Sequence, residues 1–227
     1  MRLLCALVAA MWASSAAAAE VSGELGVVSD YRYRGVTLSL GRLAVQGSVT
    51  VEHDSGFYGE AWVSTLEQQA DPTDSEVDFT VGYSHDLSET LNVDLSGTFF
   101  AYPSADSDNY FEATAAVTAT HGAASGSLGF SYVPAQRATR DEFGTGRDNA
   151  YLFATLDYVI SKTPVTLKSG IGYERGAFDE VEHAGKWDWT LGAEAELKPV
   201  KLGLAYVGSN ADGGDRHALV ASAFLAW

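Results

Sequence analysis

Apolar and polar side chains alternate along most of this chain with a period of two residues. The clearest case runs from Trp187 to Leu197, where odd positions hold tryptophan, leucine or alanine and even positions hold aspartate, threonine, glycine or glutamate. Successive side chains of a β-strand point to opposite faces, so this period indicates strands with one apolar face. No window after residue 19 keeps apolar residues at helical spacing for three turns. The pattern predicts an all-β protein.

Twelve segments carry this alternation, and most contain about 9–13 residues, which suits a tilted strand that crosses a bilayer. Ten strands remain the alternative count if weak segments merge. The segments are 21–34, 43–53, 57–66, 76–86, 91–102, 109–121, 126–134, 149–160, 165–175, 186–197, 200–209 and 216–227.

Short and long connections alternate between these segments. Tight turns follow every second strand, and longer polar connections, such as residues 135–148, follow the others. Outer-membrane barrels have short periplasmic turns at one end and longer extracellular loops at the other. We therefore predict a single closed antiparallel transmembrane β-barrel of about twelve strands. A soluble periplasmic β-domain is the alternative.

The first residues have the pattern of a secretory signal. One early cation, Arg2, precedes an apolar run, and small residues from Ala13 to Ala19 supply a cleavage site. We expect residues 1–19 to be removed and residues 20–227 to form the barrel in the cell outer membrane. The single cysteine, Cys5, lies in the signal, so disulfides and cysteine-bound metals are not expected in the mature chain.

Acidic residues dominate the charge of the chain. The formal net charge is −16 at pH 7, from 14 basic and 30 acidic residues. Such a balance is unfavourable for nucleic-acid binding. Partners of other kinds are expected, namely outer-membrane lipids and small solutes.

The polar faces of the predicted strands supply the candidate lumen residues. Carboxylates outnumber cations there, which predicts a cation-preferring lumen if it is open. Alternatively, the charges pair with one another and fill a narrow barrel. The candidates are Asp30, Arg32, Arg34, Glu60, Glu76, Asp78, Asp94, Glu112, Asp157, Lys168, Glu174, Asp188, Glu194 and Glu196.

Aromatic residues collect near the ends of the predicted strands. In a membrane barrel they are expected to form girdles at the two interfaces. The segment from Val27 to Gly35 places Tyr31 and Tyr33 on its apolar face, and we expect both to face lipid. Trp187 and Trp189 are further candidates. Trp227 ends the last strand, as is typical of proteins delivered to the barrel assembly machinery.

Signals for catalysis or metal binding are weak, and we predict a protein that is not an enzyme and holds no cofactor. The chain has five histidines but neither a Gly-Lys-Ser/Thr phosphate loop nor a His-Glu-x-x-His helix. The further alternative, an outer-membrane lipid hydrolase, would require a serine, a histidine and a third group within hydrogen-bond reach of one another on the barrel wall. Acidic loops around Asp71 and Asp74, and around Asp212 and Asp215, are better interpreted as solvated loops than as calcium sites.

The N-terminal region also carries a family resemblance. The run Val27-Val28-Ser29-Asp30-Tyr31-Arg32-Tyr33-Arg34-Gly35, with His53-Asp54-Ser55-Gly56-Phe57-Tyr58 further on, resembles the TorF family of proposed porins. The same family is also described as a conserved proteobacterial outer-membrane protein family of unknown function. Tyr33 stands where phenylalanine is usual in that family, and Leu40 stands where a polar residue is more common. The resemblance implies a secreted outer-membrane barrel acting as a narrow diffusion channel. A closed structural or loop-presenting barrel remains the alternative.

Overall fold

A computed structural model describes residues 19–67, 75–141, 143–179, 185–212 and 216–227. Twelve long antiparallel strands close into one barrel, and a two-stranded hairpin, β2 with β3, lies apart from its wall. The predicted signal lies outside the described residues except for Ala19. The strands are β1 (Ala19–Val28), β2 (Arg32–Tyr33), β3 (Val36–Thr37), β4 (Ala44–His53), β5 (Phe57–Thr65), β6 (Ser75–Ser88), β7 (Leu91–Ala101), β8 (Tyr110–His121), β9 (Ala124–Val133), β10 (Asn149–Val159), β11 (Val165–Gly176), β12 (Lys186–Leu197), β13 (Val200–Ser209) and β14 (His217–Ala226).

The barrel closes where the first strand meets the last. Each wall strand pairs with its sequence neighbour, and β1 pairs with both β4 and β14. The backbones of Gly23 and Trp227 exchange two hydrogen bonds of 3.1 Å beyond the β1–β14 register. A closed barrel leaves no unpaired strand edge, as lipid requires. The prediction of twelve strands is confirmed.

Turns and loops are segregated to opposite ends of the barrel. One end, the turn rim, carries the tight connections, such as Asp54-Ser55-Gly56 between β4 and β5. The other end, the loop rim, carries the longer ones, including residues 134–148 between β9 and β10. The only helix among the described residues is the 3-10 turn Asp106–Asp108, and none there is long and apolar enough to cross a membrane.

The outer surface of the wall is apolar. Val81, Leu128, Leu191 and Leu219 are 69%, 59%, 64% and 66% exposed. On a soluble protein so extensive an apolar surface would favour aggregation, whereas it matches the lipid-facing band of a membrane barrel. The opposite face of each strand lines the interior.

The buried core lies inside the barrel near the loop rim, and it contains a segment predicted to belong to the first strand. That strand was expected over 21–34, but β1 ends at Val28, after which residues 30–42, the inner hairpin, fold into the lumen. Arg34 and Gly35 form its turn with φ of 48° and 81°. A Cβ on Gly35 would lie 2.6 Å from the carbonyl oxygen of Gly208 on β13, so glycine permits both the backbone conformation and the contact.

The prediction that Tyr31 and Tyr33 face lipid is therefore wrong. Tyr31 is 9% exposed, and its ring lies 5.4 Å from that of Trp62 on the inner face of β5. Tyr33 packs in the same interior, with its ring 5.9 Å from that of Phe100 on β7. Both side chains face the lumen because the chain leaves the wall before it reaches them.

Candidate functional site

Arg34 ties the inner hairpin to two separate strands of the wall. Its Nη2 lies 2.6 Å from Oε2 of Glu112 on β8, and its Nη1 lies 2.6 Å from Oε1 of Glu174 on β11. The side chains of the three residues are 7%, 7% and 1% exposed. The guanidinium also lies 4.0 Å from the ring centroid of Tyr151, within cation–π range. One buried cation thus bridges the lumen.

Glu174 has further partners that stabilise its charge. Nζ of Lys186 lies 2.6 Å from its Oε2, and Nδ2 of Asn149 donates to its Oε1 over 2.9 Å. Lys186 was not among the candidate lumen residues. Lys186 begins β12 two residues before Asp188, so the two side chains lie on the same face of the strand. This spacing in the sequence could have identified Lys186 as a lumen residue. This network of paired charges consequently occupies part of the loop-rim half of the lumen.

A second contact of the hairpin uses tyrosine hydroxyls. Tyr31 donates to Oε2 of Glu76 over 2.9 Å, and Tyr102 donates to Oε1 of the same carboxylate over 2.8 Å. Burial raises the pKa of Tyr31, and the Glu76 carboxylate raises it further. The phenol therefore remains a hydrogen-bond donor at physiological pH.

The hairpin is also braced internally by Asp30. Nε of Arg32 lies 2.5 Å from one carboxylate oxygen of Asp30. The other oxygen accepts hydrogen bonds from the hydroxyls of Thr37 and Ser39, at 2.6 and 3.2 Å. Asp30 therefore joins the two arms, so the hairpin can act as one unit.

The turn-rim half of the lumen has a looser, more exposed charge arrangement. Lys168 lies 3.8 Å from both Asp157 and Glu194, and all three side chains are 37–46% exposed. Glu60 accepts a hydrogen bond from Thr50, and Asp94 accepts one from Tyr58. Glu196 lies nearer this rim and is exposed.

Two interior carboxylates have an oxygen without a donor among the described protein groups. They are Oδ1 of Asp78 and Oδ2 of Asp188. The other oxygen of Asp188 accepts a hydrogen bond of 3.1 Å from Tyr151. A buried carboxylate oxygen needs a donor or a cation, so both oxygens keep unused acceptor capacity in the interior.

The candidate girdle residues differ in position. Trp187 and Trp227 point outward and are 47% and 65% exposed. Trp189 shares the outward face of Trp187 and lies against Gly208. Tyr110 and Tyr151 also lie near strand ends, but they share the inward parity of the lumen carboxylates.

One of the described histidines closes a tight turn at the turn rim. Nδ1 of His53 lies 2.6 Å from Oγ of Ser55 and also accepts the backbone N–H of Ser55, a contact that closes a turn-rim turn. Within the described residues, no three His, Cys, Asp or Glu side chains are arranged to hold a metal ion. Asp71, Asp74 and Asp215 of the acidic loops, and His183 among the five histidines, lie outside the described residues.

The closed twelve-stranded barrel with a polar interior has the fold of outer-membrane porins. The NanC porin matches with a TM-score of 0.60 at 11% identity, over 91% of this chain and 98% of that chain. The KdgM porin, solved in complex with disordered oligogalacturonate, matches with a TM-score of 0.60 at 10% identity, over 92% and 98%. An outer-membrane channel from Pseudomonas putida F1 matches with a TM-score of 0.57 at 11% identity, over 94% and 96%.

The chain belongs to the Gcw_chp family of bacterial proteins of unknown function, whose sequence profile matches residues 12–222. Membership of a bacterial family of unknown function agrees with the broader description of the family that the N-terminal region resembles. The TorF name stays a prediction. No curated protein matches the sequence. The structural matches, at such low identity, show the fold alone.

Proposed function

We propose that this protein is a passive channel of the outer membrane that favours small cations. The main support is the lining of the lumen, where carboxylates from many strands outnumber the lysine and arginine side chains. Glu60, Asp78 and Asp94 have no ion-pair partner among the described residues. Negative charges in a confined space raise the local concentration of cations and repel anions.

The inner hairpin would be the narrowest part of the path. It crosses the loop-rim half of the lumen and contacts strands from β5 to β13, whereas the turn-rim half is more open. In the outer membrane the loop rim would face outward and the turn rim would face the periplasm. Only small solutes would pass beside the hairpin. A polyanion such as the oligogalacturonate seen with the KdgM porin would be disfavoured by the acidic lining.

Current measurements on the folded protein in planar bilayers test this proposal. Under a KCl gradient, the reversal potential should have the sign of cation preference. The double variant Glu60→Gln with Asp94→Asn should reduce that preference, because each amide keeps the acceptor used by Thr50 or Tyr58 and removes only the charge.

The matched control removes two acids from the exposed 3-10 turn of the loop rim, Asp106→Asn with Asp108→Asn. It should leave selectivity close to that of the parent. Equal effects of the two double variants would contradict the lumen assignment. An absence of current from folded protein would refute the channel itself.

A closed structural barrel is the second candidate, and the buried bridge through Arg34 favours it. In that case the hairpin would be a permanent plug, and the long loops would supply the function. The two candidates differ in a simple measurement. Liposomes containing the folded protein should swell in a small cationic solute if the lumen conducts, and they should not swell if the hairpin seals it.

A further inference from the structure

Four arginines gather on one side of the loop rim, outside the lumen. Arg137, Arg140 and Arg147 belong to the loop between β9 and β10, and Arg175 lies near the end of β11. All four are exposed, and none has an ion-pair partner within 4.0 Å among the described residues. In a chain with a net charge of −16, this cluster is an exception that the lumen does not explain.

Two of these arginines line a surface pocket of about 640 Å³. Tyr132, Ala150 and Arg175 are direct register partners on β9, β10 and β11, so they form one row across the wall. Arg175 alternates with the inward-facing Glu174 and therefore points outward. Ala150 has the smallest side chain of the row and forms the floor of the pocket, while Arg147 lies on its loop side.

The described residues of the loop above the pocket are held by hydrogen bonds within the loop. Arg140 and Gly146 form an antiparallel bridge, and Oδ1 of Asp141 accepts the backbone N–H groups of Phe143 and Thr145 at 3.0 and 2.8 Å. One carboxylate, that of Asp148, also lines the pocket. The Asp148 carboxylate accepts a hydrogen bond of 3.1 Å from the hydroxyl of Tyr132, so one of its oxygens already has a donor.

The surface directly below the pocket is apolar. Phe130 on β9, Leu152 on β10 and Ile171 on β11 point outward and are 45%, 51% and 52% exposed. This surface belongs to the band that faces acyl chains. A ligand held by the arginines would therefore continue into lipid. The combination selects an amphipathic ligand with an anionic head.

We propose that the pocket between the ends of β9, β10 and β11, with Arg147 and Arg175 as its cations, binds the phosphate group of an outer-leaflet lipid. Guanidinium groups pair with phosphate through charge-assisted and bidentate hydrogen bonds. Basic pockets at the membrane surface bind anionic lipid heads by the same chemistry. The site lies on the outer face of the barrel, so its occupancy does not depend on whether the lumen conducts.

Native mass spectrometry of the purified barrel with added lipid A tests the proposal. Bisphosphorylated lipid A should bind, and fully dephosphorylated lipid A should bind about tenfold more weakly or not at all. The variant Arg147→Ala with Arg175→Ala should lose about tenfold or more in affinity for the bisphosphorylated form. Equal binding of both lipid forms, or unchanged binding by the variant, would overturn the proposal.

The matched control is Arg42→Ala with Arg216→Ala. It removes the same charge from the same rim, but both arginines are in ion pairs, with Glu67 and Asp212. This control should bind as the parent does, and an equal loss would show that only the overall charge matters. Inorganic phosphate at millimolar concentration should not displace the lipid. Full displacement would assign the site to free anions and overturn the lipid proposal.

A second variant keeps every charge and fills the pocket. Ala150→Leu points into lipid-facing space, so folding should be retained, and heat-modified migration in gels checks this. Lipid A binding should fall as it does in the arginine variant. Unchanged binding by a folded Ala150→Leu protein would show that the pocket floor is not part of the site.

Discussion

Replacing Arg34 by alanine should loosen the inner hairpin more than removal of an exposed arginine from the loop rim. Arg34 has a left-handed backbone conformation, with φ of 48°. Arginine and alanine both carry a Cβ, so the cost of this conformation is similar in the two proteins and the substitution tests the rest of the side chain. Glu174 would keep Lys186 and Asn149 as partners. Glu112 would lose the only ion-pair partner that it has among the described residues.

The expected cost follows from the burial of this pair. Both side chains are 7% exposed, and removing one partner of a buried ion pair typically costs about 3–5 kcal/mol, because the other charge is left unpaired. The free energy of unfolding in urea, measured on protein folded into lipid vesicles, should fall by an amount in that range. Neutralising the orphaned acid in the double variant Arg34→Ala with Glu112→Gln should restore a large part of it.

The control is Arg42→Ala, which removes an ion pair on the same rim. Arg42 and Glu67 have side chains 65% and 43% exposed, and such pairs contribute only about 0–1 kcal/mol. If Arg34→Ala costs no more than Arg42→Ala, the hairpin is not held by the buried bridge. If the double variant is no more stable than Arg34→Ala alone, the unpaired carboxylate is not the cause of the loss.

Two further predictions concern the barrel wall. A Cβ at Gly129 would lie 2.1 Å from the ring of the facing phenylalanine on β10, so Gly129→Ala should lower the free energy of unfolding by about 1–3 kcal/mol. Gly126→Ala on the same strand should have a smaller effect, because the nearest contact of a Cβ there is at 3.5 Å. Urea titration of the two variants compares them directly. Trp227→Ala should reduce the amount of folded protein in the outer-membrane fraction. The assembly machinery would recognise the last strand less well, and the contact between β14 and β1 would lose the ring that covers Gly23. An unchanged yield of heat-modifiable protein would contradict this prediction.

The strand count could be predicted from the sequence because alternation and connection length are local properties. The inner hairpin could not be predicted this way, since a short hairpin continues the same period-two pattern as the strand before it. One signal was nevertheless present. The expected first strand, 21–34, exceeded the 9–11 residues that cross a bilayer, and Gly35 followed it at the point where a tight turn would be needed.

Side-chain parity explains which interior residues were missed. Tyr110 and Tyr151 lie near strand ends, where aromatic residues were expected to form girdles, but Tyr110 shares the parity of Glu112 and Tyr151 shares that of Asp157. The pairings of Arg34 are a different case. They join residues 78 and 140 positions apart, and no local pattern indicates which acids a hairpin inside the lumen will meet.

The reversal potential of the folded protein in a planar bilayer under a KCl gradient tests the central claim most directly. We predict steady current with a reversal potential of cation sign, and a smaller potential after Glu60→Gln with Asp94→Asn. Anion preference, or no current from protein shown to be folded by its heat-modified migration, would contradict the account of an acidic conducting lumen.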